Sequence, residues 1–339
     1  MAQPPVKPPR VSVLLPFHNA GAFLGSAIGS IVAGSFADFE LLLIDNASTD
    51  ESTSIAQQWC ERDSRIHLLL EPRVGIAEAL NSALALAQGI YIARMDADDT
   101  CHPERLMEQV AYLEAHPGIG VVGTRTAFVS TVAEHRGMQA FVHWQNSLIT
   151  THEHYVKRFV DAPLAHPTVL FRRELVEQFG GYDTGPLPED HELWLRWMDA
   201  GVRFAKLPME LLTWNDHAAR LSRTHANYGV DAFFHTKVKW LAKWMKRKLK
   251  GRPVIIAGTS VLCQQRAALL EAEGIAVQAY TDVKGREVPG RPFIPHDQLP
   301  PVGQAFVVSF ISQRGTGDRI AEYFKGRGLT EGVDFILAA

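Results

Sequence analysis

Three aspartates within four positions, Asp96, Asp98 and Asp99, close the apolar run Tyr91-Ile92-Ala93-Arg94-Met95. Carboxylates crowded in this way repel one another unless a cation lies among them. Asp96 and Asp98 share a face if the backbone there is extended. A divalent ion that also holds phosphates is one natural occupant, because Mg²⁺ and Mn²⁺ take hard oxygen ligands. A solvated turn with a helix cap is the alternative. A second acid pair, Glu189-Asp190, opens the stretch Pro188 to Trp197, which reads as the first turns of a helix. Negative charge is favoured there by the helix dipole.

The elements that must position the aspartates come before them in the chain. Val11 to Leu15 is a buried-strand signature closed by Pro16, with a loop Phe17-His18-Asn19 and a helix near 20–33. A second strand, Phe39 to Asp45, ends in the polar loop Asp45-Asn46-Ala47-Ser48-Thr49-Asp50, which supplies a cap for a helix near 51–61. A third, Ile66 to Leu70, leads through Glu71-Pro72-Arg73-Val74-Gly75 into the alanine-rich stretch 76–87. Four β–α units in succession imply a mostly parallel sheet with helices on both faces. Ligands bind such sheets at the carboxyl ends of the strands. The loops at Pro16, Asp45, Arg73 and Asp96 all belong to that edge, which makes it a nucleotide pocket.

Beyond Asp99, helices are expected near 104–115 and 174–179 and strand-like runs at 119–122, 126–132 and 167–172. Residues 140–159 read as helical with a mobile loop. Residues 225–250 read as one long helix with a basic end: Lys237 to Lys250 holds seven basic residues and no acid. Val238, Leu241, Met245 and Leu249 fall on one of its faces. A basic amphipathic helix with tryptophans can lie on an anionic membrane surface, or it can be a linker with a solvated basic face. From Gly251 onward, alternating strand and helix patterns describe a small Rossmann-like domain. A dinucleotide fingerprint needs three spaced glycines after its first strand, and only Gly258 is present, so the default role is structural or partner-binding.

Composition sets limits. The 339 residues suffice for two or three domains, and 46% hydrophobic with 21% charged residues is ordinary for a soluble globular protein. A net charge of −3 argues against a nucleic-acid binder acting through overall charge. Cys60, Cys101 and Cys263 form neither a metal pattern nor a disulfide framework, which favours a reducing cytoplasm. Residues 1–10 read as a flexible leader, and no apolar run reaches the roughly 18–20 residues that span a bilayer.

Residues 11–225 resemble the family 2 glycosyltransferases of the GT-A fold. The resemblance rests on Val11 to Asn19, Leu43 to Asp50, Ala93 to Asp99, His166-Pro167-Thr168, Gly180-Gly181-Tyr182-Asp183 and Glu189 to Arg196. It implies a GT-A domain over 11–225, a basic linker helix over 226–250 and an added Rossmann-like domain over 251–339. It also implies inverting, metal-dependent sugar transfer from a uridine nucleotide sugar to a glycan or lipid-linked acceptor, by an enzyme in the cytoplasm or at the inner membrane face. By resemblance, Asp45 reads the base, with Pro16, Phe17 and His18 lining that pocket. Asp98 coordinates the metal, and Asp96 contacts the ribose or shares the metal. Asp190 is the general base, with Glu189 in support. Arg73 is assigned to the base or diphosphate, Arg220 and Arg223 to phosphate oxygens, and His217 to the metal shell or diphosphate. Asp99 is expected in a supporting position or as a helix cap, Asn81 in a helix pointing to the site, and His152 and His154 at the surface. The alternatives are a nucleotidyltransferase-like enzyme, which would release pyrophosphate, and a non-catalytic nucleotide-sugar or glycan-binding scaffold.

Overall fold

The computed structural model describes residues 8–312 and 315–339, so the leader expected over 1–10 lies outside the described residues as far as residue 7. The described chain divides into two compact units, residues 8–154 with 163–225 and residues 155–162 with 226–339.

The first unit is built on eight strands: β1 (Val11–Phe17), β2 (Phe39–Asp45), β3 (Ile66–Leu70), β4 (Tyr91–Arg94), β5 (Thr100–Cys101), β6 (Val121–Ser130), β7 (Leu170–Arg172) and β8 (Phe204–Asp216). Their order is β3-β2-β1-β4-β7-β6-β8-β5. The first four are mutually parallel, β7 runs antiparallel to both neighbours, and β6 and β8 are parallel. The period-2 alternation of a strand explains why β1 and β2 are apolar throughout. Val13, Leu15, Leu41 and Leu43 enter one core cluster, with helix residues Leu24, Ile28 and Ala56. Leu14, Leu42 and Ile44 enter another, with Leu80 and Ala83 from the helix Ile76–Leu86 and Leu193, Trp194 and Trp197 from the helix Glu189–Asp199. Trp194 is fully buried in this second cluster. The mostly parallel sheet with helices on both faces is thus as expected from the sequence.

Several local readings need correction. Pro16 does not close β1; the strand continues through Phe17, in register with Ile44 and Asp45 of β2. Its pairing with β4 ends at Leu14, so Pro16 lies where β1 has lost that neighbour and its missing N–H removes no ladder bond there. Phe17 is a core residue, and of the expected Pro16-Phe17-His18 loop only His18 is exposed. The two short runs expected at 119–122 and 126–132 are one strand, β6, paired along its length with β8. His154 is buried, not superficial, and burial beside Lys206 depresses its pKa to about 3, while His152 is exposed as expected.

The second unit carries a wholly parallel sheet of β9 (Val254–Ala257), β10 (Val277–Thr281), β11 (Phe306–Ser309) and β12 (Phe335–Leu337), in the order β10-β9-β11-β12. The long helix runs Val230–Lys248 and is no free linker. Phe234, Val238, Leu241, Trp244 and Met245 are buried. The Trp244 ring packs on Phe159 and Phe306, and its Nε1 donates to the Tyr155 hydroxyl at 2.7 Å. The Arg158 guanidinium lies over the Tyr155, Phe159 and Trp244 rings. Lys157 pairs with Glu331 at 2.8 Å. These contacts explain why Tyr155–Ala162 groups with the C-terminal residues and not with residues 11–225 as a whole. No described helix is long and apolar enough to cross a membrane.

Candidate active site

At the carboxyl edge of the large sheet, β4 ends at Arg94 and the chain turns through Asp96, Asp98 and Asp99. One ligand oxygen from each lies within 4.8 Å of the others. The sequence places Arg94 two residues before Asp96, on the same side of an extended backbone, and the two side chains are ion-paired. Arg220 enters from beyond β8. Its guanidinium meets Asp96 at 2.9 Å, Asp99 at 2.9 Å and 3.1 Å, and Asp98 at 3.4 Å. His217 Nε2 stands 2.9 Å from Asp98 Oδ2, the same oxygen that Arg220 approaches, with its ring stacked on Phe23.

The three carboxylates are not equivalent. Arg94 and Arg220 hold Asp96 below the usual range despite burial, whereas burial and the neighbouring acids push Asp98 up and Asp99 up to about 7. Asp99 is buried, accepts from the Asn215 N–H and pairs with Arg220, so it does not cap the helix Arg105–Ala115. Fully ionised, three carboxylates against Arg94 and Arg220 leave one negative charge among hard oxygen donors. That donor set fits a divalent ion, with Asp98 and Asp96 as its holders and His217 beside them.

The neighbouring loops are tied to one another. Asp45 accepts from the Ser48 N–H at 2.8 Å and from the Thr53 hydroxyl. Asn46 donates to the Glu71 and Arg73 carbonyls at 3.1 Å and 2.7 Å and accepts from the Gly75 N–H at 2.7 Å. His18 Nδ1 lies 2.7 Å from the Asn46 carbonyl oxygen. Arg73 forks onto Glu71 at 2.8 Å, which holds the Glu71 carboxyl down at about 2. Arg223 is likewise forked onto Asp216, at 2.7 Å and 2.6 Å, and does not reach the aspartate cluster.

The Glu189-Asp190 pair begins the helix Glu189–Asp199. Glu189 is buried and lies 3.6 Å from His166 Nδ1, and His166 Nε2 lies 2.8 Å from the Tyr182 hydroxyl. Burial, with Arg94 nearby, lowers the His166 pKa to about 3, so the ring is neutral at physiological pH. Asp190 is half-buried, and burial with Glu189 beside it pushes its pKa up to about 6. Asn81 reaches this region and is engaged with the Tyr182 backbone: it donates to the Tyr182 carbonyl at 2.8 Å and accepts from the Tyr182 N–H at 2.9 Å. Both Asp96 and Asp190 act electrostatically on His166. The group Arg94, His166 and Tyr182 therefore lies within range of the aspartate cluster and of the acid pair.

Residues 12–180 match the family model described as Glycosyl transferase family 2. EpsE of Bacillus subtilis (strain 168), described as a glycosyltransferase, is 32% identical over 232 residues, covering 66% of this chain and 79% of EpsE. The chain belongs to glycosyl transferase family 2. The amylovoran biosynthesis glycosyltransferase AmsE of Erwinia amylovora is 32% identical over 52% of this chain and 64% of its own length. The O-antigen biosynthesis glycosyltransferase WbnJ of Escherichia coli is 28% identical over 61% and 80%. Among solved structures, S. aureus TarS 1-349 in complex with UDP-GlcNAc superposes with a TM-score of 0.53 at 15% identity, over 78% of this chain and 71% of that one. The GT-A fold of this family 2 glycosyltransferase is therefore shared with TarS. Arg94, His166 and Tyr182 received no role from the sequence. Arg94 and His166 sit within matched motifs, and the only further signal was a charged residue inside an otherwise apolar strand.

Proposed function

We propose that this glycosyltransferase moves a sugar, with inversion and metal dependence, from a uridine nucleotide sugar to a hydroxyl of a glycan or lipid-linked acceptor in the assembly of a surface polysaccharide. Relatives named for amylovoran and O-antigen biosynthesis support the pathway class. The observation that carries the mechanism is Asp190, a half-buried carboxylate raised to about 6, at a helix N-terminus, sharing His166 as an electrostatic neighbour with Asp96. At neutral pH it is mostly ionised yet basic enough to accept a proton. It takes that proton as the acceptor oxygen bonds to the anomeric carbon and the bond from that carbon to the diphosphate oxygen breaks on the opposite face.

The other roles are those that the family resemblance and the residues' chemistry suggest. Glu189, held against His166, positions the acid pair. Asp45 reads the base beside His18, and Pro16 and Phe17 support that loop from within β1. Arg220 and Asp96 meet the ribose and diphosphate end of the donor, with Arg73 and Arg223 recruited from their present carboxylate partners. Asp98 and Asp96, with His217 beside them, would hold a divalent ion, whose charge would stabilise the leaving nucleoside diphosphate.

Asp190→Asn is expected to lower kcat at least about 10³-fold while changing donor affinity by less than about three-fold. In the native enzyme kcat/KM should fall on the acid side with a midpoint near pH 6, because the base is lost as it protonates. Steady-state kinetics with product analysis checks both. Near-native turnover in the variant would remove Asp190 from the role, and release of pyrophosphate instead of a nucleoside diphosphate would favour the nucleotidyltransferase alternative.

A further inference from the structure

The helix Val230–Lys248 has two unlike sides. Its apolar residues are buried, so they are not available for insertion into a bilayer. Lys239, Lys243 and Lys246 are exposed and fall at i, i+4 and i+7, one stripe of the helix. Arg247 adjoins them, and exposed Lys250 follows in the turn beyond the C-cap Leu249, with φ +49°. The half-buried Trp240 flanks it, with the Lys243 ammonium 4.5 Å from its ring centroid. From Lys239 to Lys246 the stripe is about 10 Å long at the helical rise. No acid lies between Lys237 and Lys250.

We propose that this ridge is an electrostatic docking surface for an anionic phospholipid leaflet, bound by contact with headgroup phosphates and without insertion of the helix. The charge distribution favours a planar surface over a nucleic acid. The chain as a whole carries −3, and the seven cations of residues 237–250 leave −10 on the rest. For a flat leaflet in contact with the stripe, charge farther away than a Debye length of about 8–10 Å is screened. A nucleic acid needs a longer positive track, which the 14 residues 237–250 and an acidic remainder do not provide. The flanking tryptophan suits the headgroup level, where indole rings settle. Because the apolar face is already used, adhesion rests on charge alone and must be salt-labile, unlike that of an inserted amphipathic helix.

The test is co-sedimentation of the full chain with vesicles of phosphatidylcholine alone and with about 30% phosphatidylglycerol, at low and high salt. Binding is expected only to the anionic vesicles at low salt, with loss on the order of five-fold per cation removed. The variant carrying Lys239→Gln, Lys243→Gln, Lys246→Gln and Lys250→Gln should lose it almost completely. Two pairwise variants, Lys239→Gln with Lys243→Gln and Lys246→Gln with Lys250→Gln, give intermediate losses and decide the matter if the fourfold variant melts early. Equal sedimentation with neutral vesicles, salt-resistant binding or unchanged binding of the variants overturns the proposal. Preferential retention of a single-stranded RNA over the anionic vesicles overturns the choice of a lipid surface.

Discussion

The two parallel sheet edges of this chain follow the same topological rule and differ in what organises them. The edge of the large sheet collects Asp45 at the end of β2 and Asp96, Asp98 and Asp99 after β4, and the like charges of the last three are compensated by Arg94 and Arg220. The edge of the small sheet ends in the row Thr281, Ala257, Ser309 and Leu337, in register across four strands. There the loop after β9 is fixed by steric fit and short polar bonds. Gly258 has φ +108°, and a Cβ on it would come within 2.7 Å of Cys263 Sγ and 2.8 Å of Ile311 Cγ1. Ser260 caps the following helix by accepting from the Cys263 N–H, and Thr259 donates to Asp282 at 3.0 Å. A sheet edge is a place where ligands can bind. Whether it is a chemical site depends on charges gathered there that cannot satisfy one another completely.

The comparison can be broken most forcefully at Arg220. Arg220→Met leaves three carboxylates with Arg94 as their remaining close cation, and removing one partner of a buried charge cluster costs about 3–5 kcal/mol. Amide exchange over 94–99 should rise accordingly and be restored in part by Mn²⁺. Unchanged protection would mean that charge compensation does not hold that edge together. At the other edge, Gly258→Ala forces both a steric clash and a left-handed alanine. A loss of about 2–4 kcal/mol is expected, read as faster exchange over 254–263 with no response to Mn²⁺. A metal response there would erase the distinction. The smallest change, Ser260→Ala, removes one cap and should cost about 1 kcal/mol in the same window.

Much of this was legible in the sequence for simple reasons. The β–α alternation from Val11 to Arg94 has the period and the turn residues that local physics requires, and β3 was read with its observed bounds, Ile66–Leu70. The crowding of Asp96, Asp98 and Asp99 was equally plain, because repulsion among neighbouring carboxylates needs no fold to be noticed. What stayed hidden depends on distance along the chain. Arg220 reaches Asp99 across 121 positions, and nothing in either neighbourhood announces the pair. Asp99 read as a cap because its following residues open a helix, and only the fold shows it buried. Tyr155 to Ala162 looked like part of the first domain until the aromatic packing on Trp244 assigned it to the second. The membrane-facing reading of the long helix was half legible: the basic stripe is exposed, but its apolar partner face is structural.

Under the proposed reading of the base by Asp45, Asn46 carries a consequence for how the enzyme can change its donor. One side-chain amide staples the loop after β2 to the loop after β3, through the Glu71 and Arg73 carbonyls and the Gly75 N–H. The two loops therefore cannot drift apart one substitution at a time. A lineage exploring a new nucleotide base must either keep Asn46 and remodel within the span it fixes, or lose it and reshape both loops together. Along that route donor preference is inherited as a block.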